Sequence, residues 1–317
     1  MTEKKKLLLI SKGLIDKVSG KVKTLSPPAW NGLLSFKGKS DIVYEVWDTD
    51  IDEINHRVED IIGDPNILGG NVGTPHKEPF CNLLIADERC NVEDTAKAIG
   101  AVNTYRREEN GVSGTITDNE GIIMAMEKNG IDMGSFKDKT VAIIGAGGAS
   151  LPALEAVMRY NPSVVHVYNR TVEKAERVAK HMSSVYASKG FSYGDNVLAH
   201  DLKDIGDAPF QELSLVLNVT KLGMVGEYEN GSALTREQLA LLPDDAVVFD
   251  AVYRSANNSL ETPLIRMAKE RGLRAVPGHY MLLYQAVKAY EYIFKESLTE
   301  EEIGVMHSSM LNSIRGG

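Results

Sequence analysis

The stretch TVAIIGAGGAS (140–150) places Gly145, Gly147 and Gly148 directly after an apolar, β-branched run and before LPALEAVMRY, which reads as a helix. Residues of this kind at this spacing hold phosphates. Gly145 permits a tight turn, and Gly147, set between Ala146 and Gly148, lets the backbone approach a pyrophosphate. The helix that follows Ala149 then offers unpaired N–H groups and the positive end of its dipole. Ser150 stands where the pattern has Gly or Ala, a small residue all the same. The competing reading is a structural glycine-rich turn. A second chemistry is raised by GGNVGTPHKEPF (69–80), where Lys77 follows an Asn, a Gly and a Pro just beyond an apparent strand. The bland reading of that amine is a solvated surface lysine, and the rest of the chain must decide against or for it.

The next strand, VVHVYN (164–169), ends in Asn169, Arg170 and Thr171, where a site preferring NAD carries Asp or Glu for the ribose hydroxyls. Arg170 and Lys174 are expected in the first turn of the following helix, where the dipole disfavours cations. A 2′-phosphate would reverse that sign, so the sequence favours NADP over NAD. The alternative is two exposed basic residues on a surface helix.

These groups need elements to position them. Strand candidates are LLLI, DIVYEVW, ILGGNVG, VNTYR, TVAIIGA, VVHVYN, LSLVLNV and AVVFDA, separated by helical patterns such as DIDEINHRVEDII. Strands alternating with helices predict an α/β fold with parallel sheets covered on both faces. A polar turn, RREENGVSG, and the helix-patterned NEGIIMAMEKNG flank the best break, near GTITDNEG. The expected division is an N-terminal α/β domain, 1–117, completed by C-terminal helices, 278–317, and a Rossmann-type dinucleotide-binding domain, 118–277. A cleft between the two lobes follows as an expectation.

The chain of 317 residues is 43% hydrophobic and 25% charged, which supplies a proper core for two domains. A net charge of −9 argues against a nucleic-acid partner, which needs clustered Lys and Arg. Cys81 and Cys90 give no disulfide framework and read as reduced thiols. No histidine falls in an HxH or HExxH pattern, so no metal is expected, and His76 and His279 read first as structural. No apolar run is long enough to span a membrane, and the charged start MTEKKKLLLISKG lacks a long apolar stretch, so a cytoplasmic protein is expected.

The motifs NVGTPHK (71–77), GAVNT (100–104), GTITDNEG (114–121), IGAGGAS (144–150), NRTVEKA (169–175), NVTKLGM (218–224) and GHYMLLYQA (278–286) occur in that order. Their order and spacing resemble the shikimate dehydrogenase family, from about Ser26 to about Phe294. The resemblance implies an NADP-dependent alcohol dehydrogenase that interconverts shikimate and its 3-dehydro form, a step of aromatic amino acid (chorismate) biosynthesis, with a small cyclic hydroxy acid as partner and a homodimer left open. It implies Lys77 and Asp118 as the catalytic pair, and Asn71, Asn103 and Gln285 on the ring hydroxyls. Tyr253 is implied near the substrate carboxylate, and KTLSP (23–27) resembles the family's carboxylate clamp through Thr24 and Ser26. On the cofactor side it implies the 145–149 loop, Asn169, Arg170, Thr171, Lys174, Asn218, Thr220, Met224, Gly278 and Met281.

Several departures fall on the substrate side. Gly73 stands where the family's NVT-x-P has a hydroxyl, and Thr74, if in a strand, points to the opposite face. Ile116 replaces a usual Asn. The Tyr253–Thr262 loop is longer than the family pattern and has Ser255 in place of Pro, and SKGLIDKVSGKVK (11–23) is atypical. Losing one neutral hydrogen bond weakens a hydroxylated ligand by about 0.5–1.5 kcal/mol. Two rivals follow: the same chemistry on quinate, an aminated relative or another ring acid, and a non-catalytic dinucleotide-binding sensor. A pure binder has no need of a proton-transfer pair.

Overall fold

The computed structural model describes residues 4–15, 20, 22–188, 196–253 and 259–315. The chain divides into two compact units, Met1–Thr117 with Gln285–Gly317, and Asp118–Tyr284. In the first, β1 (Lys5–Ser11), β2 (Ile42–Asp48) and β3 (Ile67–Val72) are joined through α1 (Ser26–Phe36) and α2 (Ile54–Gly63), and α3 (Lys77–Ala86) follows. Next come β4 (Asn91–Val92), α4 (Asp94–Ile99), β5 (Thr104–Arg107) and β6 (Val112–Thr115). The sheet order is β2-β1-β3-β5-β6-β4.

This sheet is not all parallel, contrary to the expectation. β5 runs antiparallel to both β3 and β6, because β5 and β6 form a hairpin closed by the Glu108 N–H donating to the Gly111 carbonyl at 2.8 Å. The polar stretch read as a domain-edge turn is the tip of that hairpin. β1, an unbroken Leu/Ile run buried from Leu7 to Ile10, lies in the interior of the sheet. It lies so close to β3 that a Cβ on Gly70 would stand 2.0 Å from the Leu8 carbonyl oxygen.

The second unit begins with α5 (Asp118–Lys128), then β7 (Thr140–Ile144), α6 (Ser150–Met158), β8 (Val164–Asn169), α7 (Val172–Ser188), β9 (Val197–Asp201) and β10 (Leu213–Asn218). It continues through α8 (Arg236–Ala240), β11 (Val247–Asp250), α9 (Pro263–Glu270), β12 (Arg274–Pro277) and α10 (His279–Phe294). The order β12-β11-β10-β7-β8-β9, parallel throughout, is doubly wound, with its switch point between β7 and β10. Ile144, Val216, Val248, Leu264 and Phe210 belong to one core cluster on this sheet. The units divide inside α10, between Tyr284 and Gln285, whereas the sequence places the return at residue 278. α11 (Glu300–Arg315) closes the chain and packs on α1 so tightly that a Cβ on Gly32 would strike Ser309.

Strands β4, β6, β9 and β12 carry no signal that the sequence reading used. β4 is two residues long, and β9 and β12 are sheet edges with mixed polarity. Among the described residues, no helix is long and apolar enough to cross a membrane.

Candidate functional site: a polar network on a sheet face and a glycine loop

In the first unit, one polar network occupies the ends of β3, β5 and β6. Asn71 donates from Nδ2 to the Thr104 hydroxyl at 3.1 Å and to the Asn103 carbonyl at 3.3 Å, while its Oδ1 accepts from the Tyr44 hydroxyl at 2.9 Å. Oδ1 keeps a second lone pair that can accept a further hydrogen bond. Asn103 is the hub. Its Oδ1 accepts from the Thr117 N–H at 2.8 Å and from the Thr104 hydroxyl at 3.1 Å, and its Nδ2 donates to the Thr117 hydroxyl at 3.1 Å. Thr117 donates in turn to Gln285 Oε1 at 3.5 Å. The expected ring-hydroxyl residues Asn71, Asn103 and Gln285 therefore belong to one buried chain of hydrogen bonds. Tyr44, Thr104 and Thr117 complete it and were missed, because a Thr or Tyr in a strand reads equally as β-propensity.

Lys77, beyond the end of β3, is the first residue of α3 and is half-buried. Its carbonyl accepts from the Val102 N–H at 3.0 Å. The 102–103 dipeptide therefore holds the backbone at Lys77 and, through the Asn103 side chain, the backbone at Thr117, immediately before Asp118. Asp118 opens α5 and is 6% exposed. The next residue, Asn119, donates to Glu155 Oε2 at 2.7 Å, which fixes the first turn of that helix. His76 caps the structural reading: it is fully buried, its Nε2 lies 2.8 Å from the Thr49 carbonyl, and burial lowers its pKa.

Thr24 and Ser26 stand at the start of α1 with their hydroxyl oxygens 3.4 Å apart. Leu25 caps this helix without a side-chain bond, and Pro27 and Pro28 have no N–H. The donors at this helix start are hydroxyls rather than amides, which suits a carboxylate held from the side. Tyr253 follows β11 in the second unit, directly before residues 254–258. The departure at Ser255 lies outside the described residues, as do 16–19 and 21 of the atypical N-terminal segment. Ile116 is buried at 3% exposure, and Thr74 lies beyond the end of β3, not on its opposite face.

In the second unit, Gly145 has φ +118°, and a Cβ there would lie 3.0 Å from Thr220 and 3.1 Å from the Val219 carbonyl carbon. The 145–149 loop after β7 and the 218–224 loop after β10 thus flank the switch point. Gly147 is different: a Cβ there would meet nothing within 4 Å, so packing within the chain does not call for glycine. Ala149 caps α6 with no side-chain acceptor for the helix amides. Open space at Gly147, exposed Gly147 and Gly148 and an uncapped helix start fit a dinucleotide phosphate.

Asn169 braces this loop, accepting from the Ala146 N–H at 3.0 Å and donating to the Thr171 carbonyl at 2.8 Å. Asn218 is fully buried, and its amide holds Thr220 at 2.7 Å and Asp250 at 2.9 Å, so it supports Thr220 from beneath. Arg170 and Lys174 are exposed. Arg170 precedes α7 by two residues rather than lying in its first turn; Lys174 does lie there. Met224 is half-buried in the 218–224 loop. A Cβ on Gly278 would lie 2.5 Å from the Asp250 carbonyl oxygen, and Met281, buried on α10, is one turn ahead of Gln285.

A doubly wound sheet with a phosphate-fitting glycine loop, together with a separate unit carrying a buried network of hydroxyl and amide groups, defines the class of nicotinamide-dependent dehydrogenases of two-unit α/β type. Comparison with known proteins narrows this. Residues 21–105 match the shikimate dehydrogenase substrate binding domain, and residues 127–200 match the family described as shikimate / quinate 5-dehydrogenase. The shikimate dehydrogenase (NADP(+)) of Nitrobacter winogradskyi is 35% identical over 245 residues, 77% of each chain. The crystal structure of a shikimate dehydrogenase in complex with NADP+ superposes with a TM-score of 0.81 at 28% identity, covering 99% of this chain and 97% of the other. Shikimate 5-dehydrogenase of Thermus thermophilus, solved with NADP(H) and shikimate, gives a TM-score of 0.75 at 25% identity, covering 98% and 99%. The chain belongs to the shikimate dehydrogenase family.

Proposed function

We propose that this protein is an NADP-dependent oxidoreductase that interconverts shikimate and 3-dehydroshikimate. The observation that carries the reading is the continuous network from Tyr44 through Asn71, Thr104, Asn103 and Thr117 to Gln285. It is a preformed set of acceptors and donors for a polyhydroxylated ring. In this reading Thr24 and Ser26 donate to the ring carboxylate, Tyr253 contributes near it, and Asn71, Asn103 and Gln285 receive the ring hydroxyls. Lys77 exchanges the proton of the reacting hydroxyl, and Asp118 orients that exchange.

NADP, when bound, supplies the hydride acceptor in one direction and the donor in the other. The 145–149 loop and the α6 amides hold its pyrophosphate. Asn169 keeps the loop in place, with Thr171 in the adjoining turn. Arg170 and Lys174 attract the 2′-phosphate, Thr220 and Met224 line the other side of the switch point, and Met281 adds an apolar wall beyond Gly278. On composition, a cytoplasmic enzyme without a nucleic-acid partner fits this reading, and a homodimer is open to a sedimentation measurement.

The test is NADPH formation followed by near-ultraviolet absorbance, with shikimate and quinate each offered with NADP and NAD. Saturable reduction of NADP by shikimate supports the reading. Turnover of quinate alone keeps the reaction and moves the substrate, as the departure at Gly73 would allow. Silence with every pair, from folded protein that binds NADPH, would replace the enzyme with a non-catalytic binder.

A further inference from the structure

Gly73 and Ser11 compete for one place. A Cβ built on Gly73 would lie 2.5 Å from Ser11 Oγ and 2.9 Å from Ser11 Cβ, so a side chain at either position excludes one at the other. Both backbones are fixed: the Gly73 N–H donates to the Ile10 carbonyl at 2.7 Å, and the Thr49 N–H donates to the Ser11 carbonyl at 2.8 Å.

The face on which Ser11 projects follows from the register. Leu9 is opposite both Val46 and Asn71, and Leu7 is opposite Tyr44, so the side chains of Tyr44, Ser11, Asn71 and residue 73 leave one face of the sheet. The Tyr44 hydroxyl bonded to Asn71 is direct evidence of that shared face, and Trp30 of α1 stacks on the Tyr44 ring at 5.1 Å. Ser11 ends β1, at the carboxyl edge of the parallel strands, where open α/β sheets bind ligands. Its hydroxyl donates to the Thr74 carbonyl at 3.1 Å, which leaves its oxygen lone pairs as acceptors.

We propose that Ser11 is a specificity-determining residue of the ring-acid site, supplying from β1 the hydroxyl and the volume that residue 73 would otherwise supply from β3. The site has therefore kept a hydroxyl at this place, contrary to the loss read from Gly73 in the sequence. The ligand group it receives is a ring hydroxyl of a cyclic polyhydroxy acid, and this rests on the function proposed above.

The experiment is steady-state kinetics with shikimate and quinate, with calorimetric binding of each acid, on the wild type and on Ser11→Ala. The expected result is a rise of about five- to tenfold in the KM and Kd of the preferred acid, the size of one lost hydrogen bond. The KM for NADP should stay unchanged, and kcat should change less than KM. In an exchange series, Gly73→Thr alone should weaken the ring acid further, and Ser11→Gly/Gly73→Thr should recover affinity relative to Gly73→Thr. An active wild type whose Ser11→Ala variant keeps the same KM and the same shikimate-to-quinate ratio overturns the assignment and leaves the proposed function standing. A wild type that neither turns over nor binds any ring acid overturns both. Circular dichroism and NADPH affinity confirm that Ser11→Ala, a change of one oxygen, is folded.

Discussion

Tyr44→Phe isolates a single oxygen at the centre of the proposed ring site. The Tyr44 ring is 2% exposed and stacked on Trp30 with an interplanar angle of 11°, a contact that Phe retains. What is lost is the hydroxyl donating to Asn71 Oδ1 at 2.9 Å. A buried acceptor deprived of its donor costs about 1–3 kcal/mol, and the shared lone pairs of Oδ1 put this case near the low end, about 1–1.5 kcal/mol. In a unit of this size that lowers Tm by about 2–4 °C for each kcal/mol. The same donor, with the Asn103 carbonyl and Thr104 hydroxyl that take up Nδ2, fixes which end of the Asn71 amide faces the proposed ligand. Removing a preference of about 1–1.5 kcal/mol weakens ring-acid binding by about five- to tenfold, since 1.4 kcal/mol is a factor of ten. The assay is KM for the ring acid at saturating NADP, beside thermal unfolding. The expected variant has a raised ring-acid KM, an unchanged NADP KM and a small drop in Tm. A Tyr44→Phe protein with wild-type ring-acid KM would show that Asn71 is not oriented for the substrate by this bond, and the network would be scaffold only.

Three further outcomes are expected. Lys77→Ala should lose about 10²–10⁴ in kcat, roughly 3–5 kcal/mol, while NADPH titration by fluorescence remains normal; near-wild-type turnover would remove Lys77 from the chemistry. Arg170→Ala should raise KM for NADP by about tenfold or more and leave KM for NAD nearly unchanged, because a charge-assisted bond to phosphate is worth about 1.5–3 kcal/mol; an equal effect on both cofactors would refute the 2′-phosphate assignment. The pH dependence of stability should have two opposed parts. Burial pushes the Asp250 carboxyl up to about 6, against lowering by Thr262, Val252 and Asn218, so its proton stabilises the fold fully below about pH 4, and that contribution is lost as pH rises through about 6. Burial, with the charge of His200 adding to it, pushes His166 down to about 4, so its neutral form stabilises the fold above about pH 6.5 and this is lost as pH falls toward 4. In thermal melts from pH 4 to 7, Asp250→Asn should therefore remove a decline with rising pH worth at most about 3 kcal/mol, and His166→Leu a decline with falling pH. Unchanged slopes in these variants would refute the burial argument.

The sequence by itself determined the elements with strong local signals and the motifs with fixed spacing. The Leu/Ile run of β1 and the strand-glycine-helix order at 140–158 depend on local periodicity and on backbone permission, and both can be read along the chain. Lys77, Asp118, Asn71, Asn103 and Gln285 were reached through motif order in the same way. The tertiary structure alone decided what those residues touch. The antiparallel β5–β6 hairpin was hidden because its turn is polar and β6, four residues buried throughout, shows no alternation, so VNTYR read as a strand without its partner. Tyr44, Thr104 and Thr117 join the network at the proposed site only because three separate strands and the start of a helix bring their hydroxyls to Asn71 and Asn103. The exchange between Ser11 and Gly73 is the sharpest case: 62 positions separate them in sequence, and only the spacing of adjacent parallel strands makes one side chain stand in the place of the other. Local patterns are written in one dimension, whereas a shared volume is a property of packing.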